Sequence, residues 1–172
     1  FNRGARALGL DLKHPEGRAA FLELARTADV VIDNYRLGVR ERLGIDYAAL
    51  RAVNPRIISC SITAYGDRGP RAGLPGFDPL LQAEGGMMAA QGGDDDPVFL
   101  TIGVNDVAAA GMICASVMAA LNDRERTGQG QEIRTSLAAM SLLFQTGELV
   151  LVTGTGAQSL HRMPRGLTVL DR

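Results

Sequence analysis

Asp29-Val-Val-Ile-Asp33 is a short apolar run closed at both ends by aspartate, and it restricts the fold more than any other feature of the chain. A run that brief, apolar without alternation, is the pattern of a strand buried on both faces in a parallel sheet. The segment ahead of it is helical. Pro15 suits a first helical turn, where its missing N–H is not needed, and Phe21, Leu22, Leu24 and Ala25 recur at helical spacing up to about Thr27. Leu8-Gly-Leu-Asp-Leu12 alternates briefly as a strand before that helix, so the opening of the chain is expected to be a βαβ unit.

Asn34-Tyr-Arg-Leu-Gly38 turns the chain at the carboxyl end of the apolar run, the edge where open α/β sheets place ligands. Short helices are expected over Val39 to Leu43 and Tyr47 to Val53. Asn54-Pro55 ends the second, because a residue before proline is pushed out of the helical region, and Arg56 to Thr63 alternates as the next strand. Ala64 to Gly76 is a glycine- and proline-rich loop, long enough to be a candidate for function. A helix is expected from Asp78 to about Met88. The loop Gly92 to Pro97 then leads through Ile102 into a long helix that starts around Asp106 and runs to about Arg126. Thr127-Gly-Gln-Gly130 closes that helix, Gln131 to Thr135 reads as a strand, and Ser136 is placed to cap an apolar helix reaching about Thr153. No internal repeat or low-complexity linker interrupts this order.

The 46% apolar and 22% charged composition is that of a globular domain, and a formal net charge of -1 leaves no basic surface for nucleic acid. Any anionic ligand must be held by local arginines. The longest apolar stretch, Val107 to Leu121, is shorter than the roughly 20 residues of a membrane span, so no membrane is expected. Cys60 and Cys114 lie in apolar runs without metal-ligand spacing, which favours a reducing cytoplasm. The chain opens at Phe1 inside a loop and stops just after a new apolar run, and it is expected to be an internal piece of a longer protein.

The punctuation of the chain is more specific than its elements. Asn2-Arg-Gly4, Leu10-Asp-Leu-Lys13, Pro15-Glu-Gly17, Ala28 to Asn34, Gly38, Arg42-Leu-Gly44, Asn54-Pro55, Tyr65-Gly66, Gly69-Pro70, Asp78, Gly85-Gly86, Asp106 and Thr127-Gly-Gln-Gly-Gln131 follow one another in a fixed order. In that order and spacing the chain resembles the family III CoA-transferases, which also include the α-methylacyl-CoA racemases. The resemblance covers nearly all of it to about Leu143. It implies an α/β fold: part of a CoA-transferase family III fold, a Rossmann-like βαβ segment with long helices, incomplete at both ends. Residues 1–130 would form a partial CoA-binding domain carrying the active-site aspartate. Residues 131–172 would form a strand, a helix and the start of a linker toward a smaller domain. The full-length parent is expected to be an interlocked homodimer.

The resemblance also implies the chemistry. Asp106 matches the aspartate that attacks an acyl-CoA thioester, passing through a mixed anhydride and an aspartyl-CoA thioester before a carboxylic acid acceptor takes the CoA. A helix start is expected to keep that side chain ionised. Read from the residues alone, Asp106 or Asn105 caps the helix. Asp78 matches an acidic position near the site, where it would orient acyl groups or water; its other reading is an N-cap followed by Pro79. Racemases of the family carry a histidine where Phe77 stands here, and phenylalanine moves no proton, so transfer is favoured over α-proton exchange.

For coenzyme A, Arg42 matches a phosphate-binding arginine, and Arg36 is placed to bind phosphate or stack on adenine. Asn34, Tyr35 and Gly38 would shape their turn. Arg40, with the other two, reads equally as one solvated helix face. Arg3 and Arg6 stand where the family places basic residues around the nucleotide, although Ala5 replaces a common lysine. Gly85-Gly86 serves either close approach of the ligand or close helix packing. His14 and His161 have no catalytic partners, Asp94-Asp-Asp96 reads as a solvated turn, and no metal is implied. The expected partners are acyl-CoA and a small carboxylic acid. The alternatives are racemase-like proton transfer and an inactive CoA-binding fragment.

Overall fold

A computed structural model of the chain describes residues 3–146, 149–151 and 158–160. It forms two compact units, Phe1–Thr63 with Gly111–Thr135 and Ala64–Ala110 with Ser136–Arg172. The fold is mixed α/β.

In the first unit, α1 (Pro15–Ala25) begins at His14, whose Nδ1 accepts the Glu16 N–H at 3.4 Å while Pro15 takes the first turn. β1 (Val30–Asp33), α2 (Val39–Leu43), α3 (Tyr47–Val53) and β2 (Ile58–Thr63) follow in order. β1 and β2 are parallel, with Val30 opposite Ile58 and Asp33 opposite Ser61. β3 (Glu132–Ser136) adds to β2, giving the sheet order β1-β2-β3. The helical pair α2–α3 is therefore the crossover that a parallel connection requires.

Leu50 and Ile57 are wholly buried beside Ala25, with Phe21, Leu22, Val31, Tyr47 and Val53 packed around them. Removing a side chain of that size from water stabilises by about 1.5–3 kcal/mol. Polar groups fix where the helices stop. The Asp46 carboxylate accepts the Ala49 N–H at 2.9 Å to start α3. Asn54 ends α3, and its Nδ2 donates to the carbonyls of Ala25 and Ala28 at 3.0 and 2.9 Å, tying the end of α3 to the end of α1.

The strand expected over Leu8 to Leu12 does not form. Leu8 is exposed, and the Asp11 carbonyl accepts the His14 N–H at 3.1 Å in a turn. Among the described residues the edge of β1 away from β2 has no partner strand, so this alternating run has no ladder to join.

In the second unit, the helix expected from Asp78 to Met88 is two helices, α4 (Asp78–Glu84) and α5 (Met87–Gly92). Gly86, at φ 82°, breaks it in a left-handed conformation. At Gly85 a Cβ would collide with Ser141 Oγ, so this glycine serves helix packing: Ser141 Oγ donates to the Leu81 carbonyl at 3.1 Å, and Gln145 Nε2 to the Gly85 carbonyl at 2.6 Å. Those contacts dock α7 (Leu137–Phe144) on α4. Ser136 caps α7 as expected, its Oγ accepting the Ala139 N–H at 3.1 Å. The helix ends at Phe144 rather than near Thr153, and an antiparallel pair, β4 (Leu149–Leu151) with β5 (Gln158–Leu160), follows. His161 lies outside the described residues.

The one long helix among the described residues is α6 (Val104–Thr127), whose first turns belong to the second unit and the remainder to the first. By length and composition α6 is able to cross a membrane, contrary to the expectation from residues 107–121 alone. Its last turns do not share that apolar character. Arg124 is buried there, with Nη2 on Asp29 at 2.9 Å and Nη1 donating to the Arg56 carbonyl at 3.3 Å.

Candidate active site

The sequence places two aspartates at the starts of two different helices, and the second unit brings the side chain of one to the backbone of the other. Asp78 opens α4 and is 4% exposed. It is not the N-cap; Phe77 holds that position with an extended backbone and no capping side-chain bond. The Asp78 carboxylate instead bridges its own helix and the start of α6. Oδ2 accepts the backbone N–H of Asp106 at 2.9 Å, and Oδ1 accepts Nε2 of Gln82 at 2.5 Å. A helix start leaves its first N–H groups without partners, and Asp78 satisfies one of those of α6 from another element.

Asp106 sits in the first turn of α6, with its side chain exposed and its Oδ2 3.2 Å from where a Cβ at Gly103 would be. Any larger residue at 103 would press on the carboxylate. The partial desolvation of this side chain, and then the negative charge of Asp78, raise its pKa above the usual aspartate value. Burial and the Asp78 charge thus set the direction of the shift, against the stabilisation that a helix start offers an anion. A carboxylate so raised is a more basic, and hence stronger, nucleophile.

Gln82 is wholly buried one helical turn beyond Asp78. Its Nε2 also reaches the carbonyls of Leu100 and Ile102, at 3.2 and 3.4 Å, and its Oε1 accepts the Leu100 N–H at 3.1 Å. Sequence reasoning passed over it. The available signal was a glutamine four residues after an aspartate, on one face of an apolar helix. Asn105 is also wholly buried, and neither side-chain polar atom has a partner. Phe77 is 63% exposed. The Ala64–Gly76 loop is fastened to α4, with the Tyr65 hydroxyl donating to Glu84 Oε2 at 2.7 Å and Arg71 paired with the same oxygen at 2.5 Å.

In the first unit, Asn34, Tyr35, Arg36 and Gly38 lie in the turn beyond the carboxyl end of β1, and Arg42 follows in α2. Asp33 Oδ1 accepts the Tyr35 N–H at 3.1 Å and the Ser61 hydroxyl at 3.2 Å, which starts the turn. Gly38, at φ 80°, takes the left-handed conformation needed to enter α2, and a Cβ there would lie 3.4 Å from Arg42 Nη1. The Arg42 guanidinium thus folds back over the turn. Arg36 and Arg42 are exposed and, among the described residues, have no ion-pair partner, as a phosphate site requires. Arg3 and Arg6 are exposed in the segment ahead of α1.

Arg40 does not belong to a solvated face. It is 8% exposed, with Nη2 on Glu132 Oε1 at 2.9 Å, Nη1 on the Ser59 hydroxyl at 3.1 Å and Asp33 Oδ2 at 3.3 Å. The Asp33 contact is an ion pair without hydrogen-bond geometry. One guanidinium so joins all three strands beneath the turn. Cys60, on β2, has its thiol pKa raised by burial and then by Asp33, against the opposing charge of Arg40, and is no nucleophile. Among the described residues no group of three histidine, cysteine, aspartate or glutamate side chains is arranged to hold a metal.

Comparison with known proteins gives this geometry a setting. The sequence pattern of CoA-transferase family III matches residues 1–167. The acetyl-CoA:oxalate CoA-transferase of Acetobacter aceti is 38% identical over 90% of this chain and 40% of its own length. The succinate–glutarate CoA-transferase of Agrobacterium fabrum is 40% identical over 79% of this chain and 34% of its own. The crystal structure of a CAIB/BAIF family protein from Brucella suis superimposes with a TM-score of 0.82 at 36% identity, over 86% of this chain and 39% of that one. The chain thus spans about two fifths of the length of such relatives. With its pattern matched almost end to end and its fold shared, the chain belongs to CoA-transferase family III.

Proposed function

We propose that the protein to which this chain belongs is an acyl-CoA:carboxylate CoA-transferase with Asp106 as its nucleophile. The observation that carries the reading is the exposed Asp106 carboxylate at the start of α6, its main chain held by buried Asp78.

An Asp106 oxygen adds to the thioester carbonyl of the donor, the C–S bond breaks, and CoA leaves as the thiolate with a mixed anhydride on the enzyme. The thiolate adds to the aspartyl carbonyl, the anhydride C–O bond breaks, and the donor acid departs as a carboxylate. The acceptor carboxylate then attacks the aspartyl-CoA thioester and expels the thiolate. That thiolate attacks the acceptor's carbonyl, giving the new acyl-CoA and free Asp106. No net proton moves in the cycle. Arg36 and Arg42 would hold the phosphates of CoA by charge-assisted hydrogen bonds, and Tyr35 offers a ring for its base.

The relatives named for oxalate, succinate and glutarate support a small carboxylic acid as acceptor. Phe77 supports transfer over α-proton exchange, because an exposed phenyl ring neither accepts nor donates the proton. The interlocked homodimer and a cytoplasmic setting, which free Cys60 and Cys114 suit, belong to the same proposal for the complete protein.

Half-reaction isotope exchange tests the reading. The complete protein should move labelled donor acid into its own acyl-CoA with no second acid present, and in deuterated water the α-carbon should gain no deuterium. Exchange at the α-carbon without movement of the acid label would refute it.

A further inference from the structure

Gln82 carries more polar contact than any other side chain near Asp106, and none of it faces solvent. It is wholly buried, so its amide is not retained for solubility. Two Nε2 hydrogens serve Asp78 Oδ1 at 2.5 Å and the carbonyls of Leu100 and Ile102 at 3.2 and 3.4 Å, while Oε1 takes the Leu100 N–H at 3.1 Å. Leu100 is therefore paired in both directions, as it would be by a neighbouring strand. The other oxygen of Asp78 holds the Asp106 N–H.

We infer that Gln82 is a positioning residue for the transfer reaction: its amide clamps the segment entering α6 to Asp78, and through that carboxylate sets where the Asp106 nucleophile stands. The inference rests on the reading of Asp106 as nucleophile. No other side chain reproduces the clamp. Glutamate would oppose its charge to Asp78 and to two carbonyls, asparagine is shorter by one methylene, and methionine fills the space but leaves Asp78 Oδ1 and the Leu100 N–H without partners. Misplacing a reacting group by about 1 Å lowers rates by about 100-fold, whereas binding of the nucleotide end does not depend on Gln82.

The test uses Gln82→Met, Asp78→Asn and the double variant in the complete protein, measured against wild type. Single-turnover formation of the aspartyl-CoA adduct gives the rate, titration with a non-reactive CoA thioether gives the Kd, and circular dichroism gives the fold. Gln82→Met is expected to lower the rate by about 10- to 100-fold, to leave the Kd within about two-fold, and to combine with Asp78→Asn in a total loss little larger than the greater single loss. A rate and a Kd that worsen together, a rate that falls only with the folded fraction, or losses that multiply in the double variant would overturn the inference. If Gln82→Met does not fold, Gln82→Asn, which keeps a neutral amide one methylene short of the clamp, decides by the same outcomes. A wild type that forms no adduct is a separate result: it removes the transferase reading and this inference with it, whereas wild-type activity with unaffected variants removes this inference alone.

Discussion

Asp78 Oδ2 accepts the backbone N–H of Asp106 at 2.9 Å, so one carboxylate holds the main chain of the residue that presents the other. The contact fixes the main chain of the proposed nucleophile and sets a negative charge beside it, and both consequences are open to measurement.

Replacing Asp78 by asparagine keeps an oxygen able to accept the Asp106 N–H but removes the charge. Of the two causes that raise the Asp106 pKa, burial remains and the charge is lost. The acid limb of the pH–rate profile for adduct formation should therefore move to lower pH, toward but not onto that of an ordinary aspartate. A limb that stays in place or moves up would contradict this origin of the shift.

Asp106→Asn should abolish transfer and leave the melting temperature equal or higher. The sign follows from linkage: a folded-state pKa above the unfolded one means that ionising Asp106 disfavours the fold. That penalty is absent below the unfolded value, grows between the two, and is fully present above the folded one. Asparagine removes it, as expected where a site trades stability for reactivity. Thermal melts at neutral and acid pH check this, with the gain shrinking as the pH falls.

Arg40 is the cation whose loss should unfold the first unit rather than impair catalysis. Arg40→Met removes the cation shared by the largely buried carboxylates of Asp33 and Glu132, leaving Glu132 only the exposed Arg134, and breaking such a pair costs about 3–5 kcal/mol. Urea unfolding should show that loss, with only partial recovery in Arg40→Lys, since one ammonium does not bridge Ser59, Glu132 and Asp33 together.

Arg42→Ala and Arg36→Ala should act on binding alone. Each is expected to weaken CoA by about ten-fold, equivalent to ~1.4 kcal/mol, with the rate at saturation unchanged and the affinity less sensitive to salt. Titration at two ionic strengths distinguishes this from the combined loss of rate and affinity that a disrupted fold would give.

The sequence was informative where local chemistry decides the structure. The apolar run before Asn34 is β1, Asn54-Pro55 ends α3, and Ser136 caps α7, because each depends on residues adjacent in the chain. It misled where the decision lies elsewhere. Leu8 to Leu12 alternates but has no ladder to join, and Arg40 shares its periodicity with the exposed Arg36 and Arg42 while turning inward to carboxylates on two strands. Asp78 and Asp106 were singled out separately, from resemblance and from helix-start chemistry. Their contact, and Gln82 behind it, depend on how α4 meets the segment entering α6, which no spacing in the sequence encodes.

The most direct measurement is mass spectrometry of the complete protein after incubation with a panel of acyl-CoAs. With Asp106 as nucleophile, the peptide holding it should gain the mass of CoA with at least one donor, and hydroxylamine should convert the adduct to a hydroxamate on Asp106. A peptide that stays unmodified with every donor while transfer proceeds would contradict it.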